Sequence, residues 1–415
     1  MHSDTITPIG QVDSREDHRV FGIKHDDRRF HMAIIGKTGT GKSTMLETML
    51  RADLERCEGF ALLDPHGDLA ATIFAKVPDW TRDRVQYFDP SDPGSRSTFN
   101  PLEVNGKAQR HLVVADLISI FNRIWEKSWG PRLEYILRNL LMALTERPGH
   151  TLVDAMRMLN DADFRKEVVD GLDDDIVKAF WEEEFGRYSK SYRTEAIAPI
   201  QNKLGEFLVN PILRRVFSDP QGTIQPRQLM DAGGVLIADL SVGKLGRDAS
   251  VLLGAMLVGK FGLAALSRAD IPIEQRRDFY LYVDEFPTVA TSNFATILAE
   301  ARKYRLALIL VMQYLDQLDV KLTGALFGNV GSFVSFRLGI KDASVIQNEL
   351  FPIFQKEDLV SLPHYRAYVR LMIDGKPSRP FSARVMRDYE PGQNQAQPTI
   401  EPKTRETRTD DDPAW

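Results

Sequence analysis

The sequence predicts an α/β protein built on a mainly parallel sheet with helices on its faces, and three observations carry that prediction. A strand-length apolar run at residues 31–35 leads directly into a glycine-rich loop and then a helical pattern. Apolar runs at 60–63 and 85–88 each end in Asp-Pro and alternate with helical segments, as parallel strands joined by crossover helices do. From about 107 to 208 the chain is rich in Leu, Arg, Glu and Ala and nearly empty of β-branched runs, so an all-α segment interrupts the sheet pattern.

In chain order, the first 27 residues are polar and charged and offer no apolar stretch for a signal peptide or anchor. After the glycine-rich loop, Met45, Leu46, Met49 and Leu50 set the apolar face of the first helix. The interrupting segment reads as about five helices, with breaks at Trp129-Gly130-Pro131, Pro148-Gly149 and Gly171. Strand patterns resume at 235–240, 279–283, 306–312 and 333–337, and 365–373 with 382–385 reads as a terminal hairpin turning at Asp374-Gly375. From 388 onward Pro, Gln, Thr and a run of Asp predict a flexible tail. The expected organisation is an N-terminal extension (1–26), a discontinuous α/β domain (27–104 and 211–387), an inserted all-α domain (105–210) and the tail (388–415).

With 415 residues and 43% hydrophobic content, the chain can bury one large core or two modest ones. The balance of 53 basic against 58 acidic residues excludes a protein that coats nucleic acid through global charge, while leaving local basic surfaces open. The single cysteine, Cys57, excludes an intramolecular disulfide framework and a cysteine-based zinc site, and fits a reducing cytosol. The longest apolar runs, such as 306–312, are strand length, short of the roughly 20 residues a membrane helix needs, so a soluble chain is expected.

The loop Gly36-Lys37-Thr38-Gly39-Thr40-Gly41-Lys42-Ser43 matches the phosphate-loop pattern at every required position. Glycines let backbone N–H groups converge on phosphates, Lys42 reaches the outer phosphates, and the Ser43 hydroxyl ligates Mg²⁺, with Thr44 following at the helix start. ATP with Mg²⁺ is the expected ligand. Such a loop needs a carboxylate partner at a strand end. The run 279–283 ends in Asp284-Glu285, placing Asp284 in the outer shell of the metal and Glu285 as the general base for water.

Gln313 follows the strand at 306–312 and so stands at the carboxyl edge of the sheet, where an amide can sense a γ-phosphate and position water. Asp64 ends the second strand on the same edge and is a candidate for ordering the metal; His66 reads as structural. Among the basic residues, Arg302 and Arg305 in Arg302-Lys303-Tyr304-Arg305, and Arg337, are candidates for an arginine offered to a neighbouring subunit's phosphoryl group. The stretch Arg187-Tyr188-Ser189-Lys190-Ser191-Tyr192-Arg193 alternates basic, aromatic and hydroxyl residues, a mix suited to phosphate contact and base stacking.

These motifs together resemble the FtsK and HerA superfamily of ring-forming ATPases, and within it the type IV secretion coupling proteins of conjugation. The resemblance is carried by Phe21-Gly22-Ile23-Lys24, Asp27-Arg28-Arg29-Phe30-His31, the phosphate loop, Asp64-Pro65-His66-Gly67-Asp68-Leu69, Phe99-Asn100-Pro101-Leu102, Val283-Asp284-Glu285-Phe286 and Ala301-Arg302-Lys303-Tyr304 followed by Gln313. It implies a RecA-like motor domain, a homo-oligomeric ring, taken as a hexamer, with ATP between subunits, a central DNA channel and an all-α domain that helps select substrate. It also implies that the trans-acting arginine lies eleven residues before the Gln, the position of Arg302, and that a basic residue ahead of the loop, Arg28 or Arg29, contacts the nucleotide.

Coupling proteins carry transmembrane helices ahead of the motor, and none is expected here. A cytoplasmic protein, held at the inner face of the bacterial membrane only through a partner or a missing anchor, is the resulting expectation. The function expected is an ATP-hydrolysing motor that translocates or recruits DNA, with type IV secretion or relaxosome proteins as partners. A secretion ATPase acting on protein substrates and a HerA-like translocase serving a nuclease are the alternatives. The chain itself has no carboxylate–histidine cluster outside the nucleotide motifs that would make it a nuclease.

Overall fold

The computed structural model describes residues 5–14, 17–104, 106, 109–387, 389 and 397–398. Its strands are β1 Ile6–Val12, β2 Val20–Lys24, β3 Met32–Ile35, β4 Gly59–Asp64, β5 Val85–Phe88, β6 Val235–Asp239, β7 Phe279–Val283, β8 Leu306–Met312, β9 Ser332–Ser335, β10 Arg366–Arg370, β11 Met372–Ile373, β12 Lys376–Pro377, β13 Phe381–Arg384 and β14 Gln397–Pro398. The chain forms two compact units, one from the described residues of Met1–Phe30, Ile34–Met49 and Gly331–Trp415, the other from His31–Ala33 and Leu50–Val330.

The larger unit is the α/β core. Its strands run in the order β8-β7-β4-β6-β5, and all four pairings are parallel. Every residue of β4, β6, β7 and β8 is buried, which is why these runs lack the in–out alternation of a half-exposed strand. Helix Arg247–Ser267 packs in this core: an added Cβ on Gly254 would lie 2.6 Å from Val289 Cγ1, and one on Gly262 2.3 Å from Ile297 Cδ1. By length and composition this helix could cross a membrane, and 83% of its most apolar window is buried in the protein. It corrects the expectation that no apolar run exceeds strand length: small residues interspersed along it disguise the run.

Between β5 and β6 every regular element among the described residues is helical. Six α-helices lie from Arg110–Ile124 to Lys190–Val209 where about five were expected. The predicted breaks are present, with Gly130 as N-cap before Pro131 and Gly171 as C-cap. The extra division at Asp161 arises because its carboxylate accepts from the N–H groups of Asp163 and Phe164 and starts a new helix. Trp125 anchors this helical core, stacked on Phe121 at 4.4 Å between ring centroids.

The smaller unit is an antiparallel sheet in the order β2-β1-β13-β10-β9, to which β14 adds a parallel strand beside β2. Strands β1 and β2 lie in the stretch read as an N-terminal extension; their short, Gly- and Pro-interrupted runs give little periodic signal. Phe21 meets Phe381 edge-on at 5.0 Å, tying β2 to β13. The expected strand 365–373 is divided at Leu371, whose N–H is taken by Ser378 Oγ at 3.1 Å. Asp374 and Gly375, with φ of 50° and 75°, turn the small β11–β12 hairpin, and the Asp27 carboxylate accepts from both of their N–H groups at 2.9 Å. Apart from 389 and 397–398, the predicted tail lies outside the described residues.

Candidate functional site

In the smaller unit, Ile34 and Ile35 at the end of β3 lead into the glycine-rich loop, and helix Lys42–Glu55 begins at its Lys. Gly39 and Gly41 take φ of 74° and 117°, left-handed conformations that turn successive N–H groups inward at no steric cost. At Gly36 a side chain is excluded outright, because a Cβ would lie 2.5 Å from Phe336 Cβ. Lys42 is buried, and its Nζ donates to the carbonyl oxygens of Gly36 (2.7 Å) and Lys37 (3.1 Å), holding the ammonium across the loop mouth. Thr40 Oγ1 donates to Lys37 O at 2.7 Å, whereas Thr38, Ser43 and Thr44 retain solvent access. A helix N-terminus, convergent amides and a buried ammonium fit a polyphosphate, and the accessible Ser43 hydroxyl fits Mg²⁺, a cation that keeps most of its ligands as water and phosphate oxygen. Among the described residues no three His, Cys, Asp or Glu side chains converge to hold a metal on their own.

The loop is braced from β9 and from the segment before β10. Arg337 O accepts from Lys37 N–H at 3.0 Å, and Thr40 O accepts from Tyr365 N–H at 2.8 Å. Arg337 Nη2 lies 3.0 Å from His364 Nε2. A guanidinium only donates, so Nε2 is the acceptor and Nδ1 carries the proton it gives to Gly39 O at 2.9 Å. Arg337 is thus committed within its own chain, and sequence reading missed His364 because it lies 325 residues from its partner. Arg28, proposed to reach the nucleotide, is buried and donates to Thr7 Oγ1 at 2.9 Å; Arg29 pairs with Asp26.

In the larger unit, the carboxyl edge of the parallel strands gathers Asp64 at the end of β4, Asp239 at the end of β6, Asp284 and Glu285 after β7, and Gln313 after β8. Asp284 and Glu285 are only 7% and 8% exposed. Asp284 N–H donates to Leu63 O at 3.1 Å, continuing the ladder to β4 by one residue. Glu285 adopts φ 50°, ψ 44°, a left-handed conformation that a non-glycine residue holds only against strain. Gln313 Nε2 donates to Glu285 Oε2 at 2.9 Å, so these two predicted residues meet.

Asp64 is fully buried and spends both oxygens on backbone: Oδ1 accepts from His66 N–H and Oδ2 from Ala70 N–H, each at 2.9 Å. It therefore orders the turn into helix Asp68–Ala75. His66 itself is exposed. Asp239, which sequence reading did not single out although it ends a strand as Asp64 does, takes Lys244 Nζ at 2.7 Å and Tyr87 Oη at 3.2 Å. The Asp239 bond, joined by one to Asp89 at 3.0 Å, raises the Lys244 ammonium pKa.

Arg302 lies exposed on a 3-10 turn, Ala301–Tyr304, after helix Phe294–Glu300. Arg305 faces Asp278 at 3.6 Å. Near Arg302 lies buried His31, whose Nδ1 accepts from Leu308 N–H at 3.1 Å. Burial pushes its pKa down to about 4, helped by the Arg302 charge and opposed by a Leu298 backbone hydrogen bond. The basic stretch in the helical segment is not brought together as an open patch. Arg193 donates to the carbonyls of Phe185 (3.3 Å) and Gly186 (3.2 Å), and Tyr188 donates to Glu184 at 2.8 Å; Arg187 and Lys190 are exposed.

Residues 9–256, more than half of the chain, match the sequence family described as the central domain of helicase HerA. The chain belongs to the HerA family. No curated protein matches it significantly. Solved structures with the same fold include the bacterial conjugative coupling protein TrwBdeltaN70 in an unbound form, 17% identical, with a TM-score of 0.63 over 92% of this chain and 89% of that one. The plasmid coupling protein TrwB with ADP and Mg²⁺ is 17% identical, with a TM-score of 0.65 over 93% and 96%. VirB4 of Thermoanaerobacter pseudethanolicus is 13% identical, with a TM-score of 0.64 over 94% and 98%. This HerA-family chain is thus a P-loop NTPase with a RecA-like α/β fold and an all-α insertion.

Proposed function

We propose that this protein is an ATP-hydrolysing ring motor that translocates or recruits DNA, of the kind that serves conjugative or type IV secretion transfer. The observation that carries the catalytic part is the buried Glu285 carboxylate held by Gln313 at 2.9 Å. A general base must be aimed before it can take a proton, and this hydrogen bond fixes its orientation. In this reading, which follows the order of motifs along the chain, Lys42 and the amides from Gly36 to Thr44 bind the phosphates. Ser43 ligates Mg²⁺, Asp284 holds the metal's water shell, and Glu285 with Gln313 orients the attacking water. Bound ATP·Mg²⁺ supplies the phosphoanhydride and the charge neutralisation. Asp64 orders the neighbouring turn.

Exposed Arg302, eleven residues before Gln313, is the arginine offered to the next subunit. The site then works in a homo-oligomer, a hexamer, in the cytoplasm, reaching the membrane through a partner. The family described as helicase HerA and the fold shared with TrwB and VirB4 support this reading. The test is ATPase activity of size-separated oligomer with and without single- and double-stranded DNA at low salt. Stimulation by DNA, lost in Lys42→Ala and in Arg302→Ala, is expected; an intact ring whose hydrolysis ignores both DNAs would sink the DNA-motor reading.

One observation favours a protein-directed role for the all-α insertion: its basic stretch is partly consumed internally and adjoins exposed Glu182, Glu183 and Glu184. In that reading the insertion docks secretion or relaxosome proteins, and neutralising Arg187 and Lys190 leaves DNA stimulation intact.

A further inference from the structure

Beside the phosphate loop, within the smaller unit, lies a cavity of about 520 Å³ lined by Gln11, His364, Tyr365, Arg384, Met386 and Arg387, among others. Two of its lining residues, His364 and Tyr365, connect it to the loop. Tyr365 N–H bonds Thr40 O, His364 Nδ1 bonds Gly39 O, and a Cβ on Gly41 would lie 3.1 Å from Tyr365 Cδ1. The Tyr365 ring therefore packs on the glycine immediately before Lys42. Its backbone is left-handed, with φ 59°, a conformation held in place by its own N–H bond to Thr40 O and by Val385 N–H donating to Tyr365 O at 2.9 Å. Strain of this kind in a non-glycine residue gathers at ligand clamps.

The chemistry of the lining selects a planar ligand over a second anion. Arg366 and Arg384 both direct their guanidinium groups to Asp13, so much of the local positive charge is already neutralised. Arg387 instead sits over the Tyr365 ring, with its Cζ 3.7 Å from the centroid, and Met386 and Val385 add apolar surface. A guanidinium plane, an aromatic ring and a thioether together offer stacking faces, while the Gln11 amide offers a donor and an acceptor to a heterocycle edge.

We propose that this cavity is the base and ribose subsite of the loop's nucleotide, with a purine stacked against Tyr365 and Arg387. The proposal rests on the reading of the loop as a nucleoside triphosphate site and adds which part of the ligand the β10 and β13 ends recognise.

The test is calorimetric binding to the full chain, with Mg²⁺, of ATP and of inorganic tripolyphosphate, which carries the phosphates without base or sugar. Wild type is expected to bind ATP on the order of tenfold or more tighter than tripolyphosphate. Arg387→Ala, at an exposed position, and Tyr365→Ala close that gap by weakening ATP alone, and Tyr365→Phe restores it. Lys42→Ala weakens both ligands. Equal affinity of wild type for ATP and tripolyphosphate overturns the subsite and leaves the phosphate loop standing. So does unchanged ATP binding in Arg387→Ala and Tyr365→Ala, or an equal loss of both ligands in them. A wild-type chain that binds neither ligand overturns the nucleotide reading and the subsite together.

Discussion

Gln313 Nε2 donates to Glu285 Oε2 across 2.9 Å, and the two residues stand just past the carboxyl ends of the adjacent parallel strands β8 and β7. Strand pairing sets the spacing of the two side chains. The amide therefore holds the carboxylate in one orientation without needing a ligand to do so.

Glu285→Gln is expected to lower ATP turnover by about 100-fold or more while leaving nucleotide binding within a few-fold of wild type. Gln313→Ala lowers turnover less, because the base remains but loses its aim. Glu285→Gly removes the left-handed strain along with the base, so it raises unfolding free energy by about 1 kcal/mol while abolishing turnover. Single-turnover hydrolysis and denaturant melts check these, and an unimpaired Glu285→Gln would remove Glu285 from the role of base.

Asp64 predicts a stability effect in place of a catalytic one. Asp64→Ala leaves the buried N–H of Ala70 and the partly buried N–H of His66 without their acceptors. A loss of roughly 2–6 kcal/mol in unfolding free energy follows, from about 1–3 kcal/mol for each of the two orphaned donors. Asp64→Asn keeps one carbonyl acceptor and loses less. Urea denaturation measures both, and a wild-type midpoint in Asp64→Ala would show that the turn is held otherwise.

His31 predicts acid sensitivity. Its pKa falls from 6.5 to about 4 in the fold, so between these values the unfolded chain binds the proton and the folded chain does not. The stabilisation is fully present above pH 6.5 and is lost progressively as pH falls toward 4. The linked change is about 3 kcal/mol. In His31→Asn, Oδ1 replaces Nδ1 as acceptor for Leu308 N–H and tolerates the φ of 63°. Thermal melts from pH 7 to 4 should show a flatter profile for this variant than for wild type; parallel profiles would place the acid response elsewhere.

Much of the α/β core was legible in the sequence because its strands are short, continuous apolar runs, and burial on both faces writes itself directly into composition. The loop was legible for a different reason: Gly39, Gly41 and Lys42 are required by backbone conformation and charge at fixed spacing. Strands β1 and β2 were not, since a half-buried strand interrupted by Pro8, Gly10 and Gly22 has no clear period. Helix Arg247–Ser267 was overlooked because glycines needed for close packing interrupt its apolar run.

The sequence alone determined which residue types are candidates for the proposed chemistry: the loop glycines, Lys42, Ser43, Asp284, Glu285 and Gln313 are all recognisable by local pattern. Only the tertiary structure decided which carboxylates are committed elsewhere and which distant residues join the loop. Asp64 turned inward to two backbone N–H groups, Gln313 reached Glu285 across a strand pair, and His364 and Tyr365 came to brace Gly39 and Thr40. A local pattern records what each residue can donate or accept. Which partner satisfies it depends on strand register and chain crossing, which bring together residues hundreds of positions apart.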